Sequence, residues 1–204
     1  MNFIQTTAYD EYGYVLGQSR QYFDDLGRAT QSQYKNLTED VLMTSEVVYD
    51  GHGRAVLNTL VAPTKTGTFA KTNDECGDLV QTGAKVQFEY KSDFITGADN
   101  QSYDHTKFDG AKEMSHEPVG NSEPGTLGWY YSINNGSSPD EKMNEPLVAS
   151  TNYPYSRTIF HHDGTEDIKT ASIPGDAFRI GGGHLGETNK EEVLDSDPEP
   201  AGFI

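Results

Sequence analysis

Apolar and aromatic residues in this chain come in short runs, with a period nearer two than the three-to-four spacing of a helix. Ser45-Glu46-Val47-Val48-Tyr49 is β-branched and aromatic, as a strand should be, and Arg54-Ala55-Val56-Leu57-Asn58-Thr59-Leu60 resumes an extended segment that Pro63 and Gly67 close. Lys85-Val86-Gln87-Phe88-Glu89-Tyr90 alternates strictly, which predicts a half-buried strand. Trp129-Tyr130-Tyr131-Ser132-Ile133 reads as a short aromatic strand running into the turn Asn134-Asn135-Gly136. Residues 153–160 read as a further strand, followed by the turn His161-His162-Asp163-Gly164-Thr165. Residues 64–83, 113–128 and 137–146 are polar or rich in Gly and Pro and read as loops. No segment carries a sustained helical period with caps, so the pattern predicts an all-β chain.

A short template recurs near the start: aromatic, Asp, two variable residues, Gly, Arg. Phe23-Asp24-Asp25-Leu26-Gly27-Arg28 and Tyr49-Asp50-Gly51-His52-Gly53-Arg54 fit it fully, while Tyr9-Asp10-Glu11-Tyr12-Gly13 has Tyr14 in the arginine position. The template describes a hairpin turn. The Asp side chain accepts a backbone N–H two residues on, and the Gly supplies the positive φ that ends a three- or four-residue loop. A β-branched residue in place of Gly27 or Gly53 would clash. Arg28 and Arg54 begin the strands after the turns, so Arg54 is expected to stack on Tyr49 or reach a carboxylate on an adjacent repeat, and Arg28 to do the same beside Phe23. The copies are unevenly spaced, 14 residues from Asp10 to Asp24 and 26 from Asp24 to Asp50. A hairpin ribbon accommodates that by lengthening strands; a solenoid of fixed coil length does not.

Composition narrows the partners. The 204 residues fit one ordinary domain or two small ones, and 34% hydrophobic content with 12 Tyr, 9 Phe, 21 Gly and 9 Pro suits half-buried strands joined by many turns. A net charge of −17 repels phosphate backbones and anionic lipid, which argues against nucleic-acid and membrane-surface partners. Cys76 stands alone, so no intrachain disulfide forms, and no apolar run of about 18 residues suggests a helical membrane span. The start, Met1-Asn2-Phe3-Ile4-Gln5, lacks the basic and apolar regions of a signal peptide, so the chain reads as the middle of something longer.

Candidate chemistry is sparse. His161, His162, Asp163 and His184 suggest a metal, but adjacent His residues at a strand end point to opposite faces. Asp163-Gly164-Thr165-Glu166-Asp167 is oxygen-rich yet lacks the spacing of a calcium loop. Gly181-Gly182-Gly183-His184 matches no phosphate-binding pattern and reads as a flexible crossing. The acids Asp74, Glu75 and Asp78 around Cys76 raise a thiol pKa, the wrong direction for a nucleophile. The sequence therefore nominates no catalytic residue, no metal ligand and no cofactor. In a strand, Trp129 and Tyr131 would share one face, which makes them a candidate sugar-stacking pair.

The repeated template resembles the YD repeat of bacterial RHS proteins, over residues 9–60. The later stretches Phe108-Asp109-Gly110-Ala111-Lys112-Glu113, Leu127-Gly128-Trp129-Tyr130-Tyr131 and Tyr153-Pro154-Tyr155-Ser156-Arg157 are similar to the non-repetitive part of large surface-exported members. The resemblance implies a β-hairpin ribbon curling into a hollow shell around a cargo or toxin domain. The partners it implies are the remaining segments of the same protein, the enclosed cargo and the export machinery, at the cell surface or outside the cell. No self-cleavage core and no toxin domain is present, so only the shell role carries over. This divides the chain into repeat hairpins at 1–62, a β-rich RHS-like segment at 63–187, and an acidic tail at 188–204, flexible or partner-dependent. A surface adhesin or carbohydrate-binding β module is the alternative.

Overall fold

The first five strands follow one another as antiparallel hairpins: Asp-x-x-Gly turns at residues 10–13, 24–27 and 50–53 make three of the connections. Residues 37–40, closed by Asn36 Oδ1 accepting from Thr38 N and Glu39 N and ending in Asp40 at φ 56°, make the other. The architecture was obtained as a computed structural model, which describes residues 1–68, 70–73, 79–99, 101, 103, 118–121, 123–137, 141–145, 147–161, 167–184 and 186–187. The strands β1 (Asn2–Tyr9), β2 (Val15–Phe23), β3 (Ala29–Asn36), β4 (Val41–Tyr49) and β5 (Ala55–Thr59) form one meander. Strands β9 (Tyr155–Phe160), β10 (Ile168–Ser172) and β11 (Gly186–Glu187) continue the same sheet beyond β5, in the order β1-β2-β3-β4-β5-β9-β10-β11. Strand β6 (Ala62–Thr66) pairs with the first half of β4 while β5 pairs with its second half, so the sheet forks at that strand. Strand β5 is joined to β9 at Leu57–Arg157 and Thr59–Tyr155. The regular structure of the described residues is mainly antiparallel sheet, as the alternating pattern requires.

Three local expectations change. Residues 64–83 contain the end of β6 and a small separate hairpin, β7 (Ala70–Asn73) with β8 (Leu79–Thr82). Trp129 and Tyr131 do not lie on a strand. Leu127–Tyr130 is a one-turn helix, α1, because Thr126 caps it by accepting from Trp129 N and backbone bonds follow from Tyr130 N to Thr126 O and Tyr131 N to Leu127 O. Two short 3-10 turns, Asn135–Ser137 and Glu141–Met143, follow it. Lys85–Tyr90 alternates in burial as expected, with Val86 buried and Lys85, Gln87 and Glu89 exposed, yet it joins no ladder.

That segment lies across one face of the meander, and the face is polar. In successive rows across the strands, Phe3 faces Tyr22, Tyr22 faces Gln31 and Gln31 faces Glu46; beside them Gln5 faces Arg20, Arg20 faces Gln33 and Gln33 faces Thr44. Gln31, Gln33 and Thr44 are essentially fully buried. An extended strap over a sheet face has backbone donors and acceptors that must find partners. The glutamine amides supply them: Gln31 Nε2 donates to Lys91 O at 2.9 Å, Lys91 N donates to Gln31 Oε1 at 3.0 Å, and Gln33 Nε2 donates to Glu89 O. A carboxamide carries the same donor and acceptor as a peptide group, so here a side chain does the work of a neighbouring strand. Asp40 fixes the start of the strap by accepting from Val86 N at 2.9 Å, and Lys65 and Glu89 form an ion pair.

After the strap the chain folds into an apolar layer over β4, β5 and β9. Phe94, Ile95, Leu127, Leu57 and Tyr155 are almost fully enclosed, with Val48, Tyr103, Val119 and Tyr130 around them. Leu127 N bonds Phe94 O, and Gly120 N bonds Thr96 O, stitching this layer together. Gly128 permits it: a Cβ there would stand 1.9 Å from Gly120 O.

Gln31→Leu leaves Lys91 N–H, Lys91 C=O and Glu46 without their partner. The expected loss is about 2–4 kcal/mol from the denaturant midpoint, since each buried unsatisfied group costs about 1–3 kcal/mol. Ser32→Ala, on the exposed face of the same strand, should stay within about 0.5 kcal/mol.

Candidate functional site

The three template turns have one geometry. Asp10, Asp24 and Asp50 each accept with the backbone carbonyl from the N–H of Gly13, Gly27 and Gly53, and donate their own N–H to the carbonyls of Tyr14, Arg28 and Arg54. The glycines stand at φ of 84°, 78° and 84°, and the register shifts at Tyr9, Phe23 and Tyr49 mark the bulge that this three-residue loop produces. Inside each loop two further N–H groups need an acceptor, and the Asp carboxylate takes both. Asp50 Oδ1 accepts from His52 N at 3.0 Å and Arg54 N at 2.8 Å; Asp24 Oδ1 accepts from Leu26 N and Arg28 N, both at 2.9 Å. Asp10 does the same with Tyr12 N and Tyr14 N.

The second carboxylate oxygen holds the arginine. Arg54 Nε donates to Asp50 Oδ2 at 2.8 Å, and Arg28 Nε donates to Asp24 Oδ2 at 2.7 Å. The arginine thus pairs with the Asp of its own turn, not with a carboxylate of an adjacent repeat. Its guanidinium then projects onward to the next hairpin. Arg28 stacks on Tyr49, 4.6 Å from the ring centroid, and Arg54 stacks on Phe160 at 4.3 Å. The expected stacking of Arg54 on Tyr49 and of Arg28 beside Phe23 is therefore shifted by one hairpin. The twist of the sheet carries a side chain just past one turn over the pre-turn aromatic of its neighbour. Tyr49 closes the link by donating its hydroxyl to Ala29 O at 2.9 Å. Desolvation pushes the Asp50 carboxyl upward, but the hydrogen bonds from Arg54 and His52 and the Arg54 charge outweigh it and hold the group below its usual range. Asp24 is lowered by the same balance of effects.

Beside this ladder lies a cleft of about 330 Å³, lined by Asp24, Arg28, Glu46, Tyr49, Asp50, Tyr90 and Tyr103. Glu46 went unnoticed in the sequence. Its signal was a carboxylate at the inward position of a strand, in phase with Leu42, Thr44 and Val48, all of which are buried. Its Oε2 accepts from Gln31 Nε2 at 3.1 Å, and no cation pairs with it among the described residues. Burial, with a smaller push from the nearby Asp93 charge, raises its carboxyl to about 7 despite the Gln31 bond. Tyr90 is raised to about 12, first by burial and then by Glu46.

The other sequence candidates do not assemble into a site. Trp129 and Tyr131 sit two positions apart on and just after a helical turn, so they share no strand face; Tyr131 donates its hydroxyl to Val61 O and packs edge-on against Tyr130. His161 N closes the β9–β10 loop on Asp167 O, while His162, Asp163, Gly164, Thr165 and Glu166 lie outside the described residues, as do Cys76 and the tail 188–204. His184 packs against Phe178, and Gly181–Gly183 form a tight turn in which Gly182 N bonds Arg179 O at 2.7 Å. Among the described residues no group of three or more His, Cys, Asp or Glu is gathered for a metal, and no helix is long and apolar enough to cross a membrane.

Two outcomes follow from this geometry. Arg54→Ala removes a partly buried pair and a stacked cation and should cost about 1–2 kcal/mol in thermal or chemical unfolding. Arg28→Ala should cost less, because its pair is more exposed, with 29% and 22% of the two side chains accessible against 19% and 3% for Arg54 and Asp50. For Glu46 the folded protein holds its proton more tightly than the unfolded chain, so its contribution favours folding below about pH 4.5 and is lost as the pH rises through about 7. Glu46→Gln should therefore stabilise the protein at pH 8 by about 1–3 kcal/mol, the gain shrinking toward zero near pH 4.5.

Set beside known proteins, the chain matches no protein-family model and no curated protein, so its function is read from this geometry.

Proposed function

We propose that this chain is a non-enzymatic structural segment of a secreted bacterial RHS/YD-repeat shell, acting at the cell surface or outside the cell by strand pairing and enclosure. The observation that carries the reading is the coupling between successive hairpins, in which the arginine of one turn is clamped by its own Asp and stacked on the aromatic of the next. Such a unit repeats in one direction without a fixed number of copies, which suits a ribbon. Its partners are then the neighbouring segments of the same protein, an enclosed cargo and the export machinery; nucleic acid and bilayer insertion have no part in it.

The first hairpin supports the same reading from the other side. Strand β1 ends the sheet, and Phe3, Ile4, Tyr9 and Leu16 on that hairpin are 51%, 63%, 60% and 65% exposed. An open edge with apolar side chains invites another strand. The isolated chain should accordingly associate as its concentration rises in sedimentation velocity, and Ile4→Lys should reduce that association. A chain that stays monomeric throughout, with one two-state calorimetric transition, would instead be a self-contained module and would overturn the shell reading.

A further inference from the structure

We propose that the cleft between Glu46, Tyr90 and Tyr103 is a binding site for a monovalent organic cation, an alkylammonium group such as a free amine or the end of a lysine side chain. The site is independent of the shell reading and is carried by three features of the cleft.

The first is charge. Of the carboxylates lining it, Asp24 is neutralised by Arg28 and Asp50 by Arg54, whereas Glu46 has, among the described residues, a single amide partner and no cation. Its Oε1 accepts no hydrogen bond among the described residues, so one lone pair of a largely buried carboxylate is left to a ligand. Asp93, just after the strap, adds negative potential at the same place, and Arg28, a cation lining the cleft, is already committed.

The second is the aromatic wall. Tyr49, Tyr90 and Tyr103 line the same cleft, and ring faces attract cations when water is excluded. One of them already does so here, since Arg28 stands 4.6 Å from the Tyr49 centroid. Tyr90 is held edge-on to Tyr22, and Tyr103 is fixed by a hydrogen bond to Pro118 O, so the rings are preorganised.

The third is what the cleft excludes. A calcium ion takes six to eight oxygen ligands, and one unpaired carboxylate among phenol rings falls well short of that. At about 330 Å³ the space suits a small ligand with a short alkyl chain. An ammonium donates to Glu46 while its methylenes lie against the rings, and the overall charge of −17 concentrates cations near the surface. The burial that raises the Glu46 carboxyl to about 7 also makes the site pH-sensitive, because the ligand needs the ionised form.

The test is an NMR titration of the 204-residue chain with n-butylammonium chloride, following the amides of Glu46, Tyr49 and Tyr90, with 1-butanol as the neutral analogue of equal size. The expected result is saturable binding of the ammonium, at least tenfold weaker binding of the alcohol, and about a tenfold loss of ammonium affinity between pH 8 and pH 6. Glu46→Gln should lose at least tenfold, with its unfolding midpoint at pH 8 equal to or above that of the parent, so that misfolding is separated from loss of the site. Tyr90→Leu should weaken binding severalfold, and Glu39→Gln, an exposed acid elsewhere, should leave it unchanged. N-acetyl-lysine methylamide in place of the amine distinguishes a protein side chain from a free ligand. Equal binding of 1-butanol, unchanged affinity in Glu46→Gln, an equal loss in Glu39→Gln, or displacement of the ammonium by equimolar calcium would each overturn the assignment.

Discussion

A three-residue hairpin loop that ends in a left-handed residue leaves two N–H groups pointing into the turn with no carbonyl to receive them. In this protein an aspartate at the first position receives both with one oxygen, and everything along the meander follows from where that leaves the other. Oδ2 of Asp24 and of Asp50 points back along the strand that leaves the turn, and an arginine at that strand's first position meets it. The guanidinium is then fixed in direction, and sheet twist brings the next hairpin's aromatic under it. Gly53 is bound into the same arrangement, since a Cβ there would stand 3.0 Å from Arg28 Nη1. In the first hairpin Tyr14 replaces the arginine, and it is 71% exposed. The carboxylate still closes the loop there, but nothing is passed on to the neighbour. Closure of a turn and coupling between turns are thus separable, with Asp responsible for one and Arg for the other.

The second organising constraint is a polar interior. Four strands present Gln5, Arg20, Gln31, Gln33, Thr44 and Glu46 to a face that the strap covers. Such groups are costly to bury unless each finds a partner. Gln31 meets the strap through both its amide groups, and Gln33 through its Nε2 alone, by pairing with the strap backbone. Arg20 is sandwiched between Phe3 at 4.1 Å and Phe88 of the strap at 4.8 Å, with Gln5 accepting from its Nη2. Satisfaction is incomplete: Gln33 Oε1 and Arg20 Nε are buried without a hydrogen-bond partner among the described residues, and Glu46 has one amide donor and no cation there, which gives the protein a carboxyl raised to about 7.

These two constraints meet at β4. One end of that strand carries the Tyr49–Asp50 turn, its middle carries Glu46, and its two halves pair with different neighbours, β5 and β6. The fork lets the apolar layer of Phe94, Ile95 and Leu127 reach Val48 and Leu57 on the same face that the strap covers further along. A cleft opens where the polar and apolar parts of that face adjoin.

Much of this was legible in the residues themselves. Asp-x-x-Gly-Arg specifies its own turn through contacts within five residues, and strand alternation at 45–49 and 85–90 declares which side chains face inward. Local chemistry of that kind needs no knowledge of the rest of the chain. Trp129–Tyr131 was misread because three aromatics in a row favour a strand on propensity, whereas Thr126 as a cap and the close approach of Gly128 to Gly120 impose a helical turn. Lys85–Tyr90 showed the right alternation but not its partner, because the Gln33 amide, 56 residues from Glu89 in sequence, takes the place of a neighbouring strand. The stacking of Arg28 on Tyr49 and of Arg54 on Phe160, and the lack of a cation at Glu46 among the described residues, depend on twist, register and the crossing of distant segments. Those are properties of the assembled sheet, decided by long-range pairing that no local run of residues encodes.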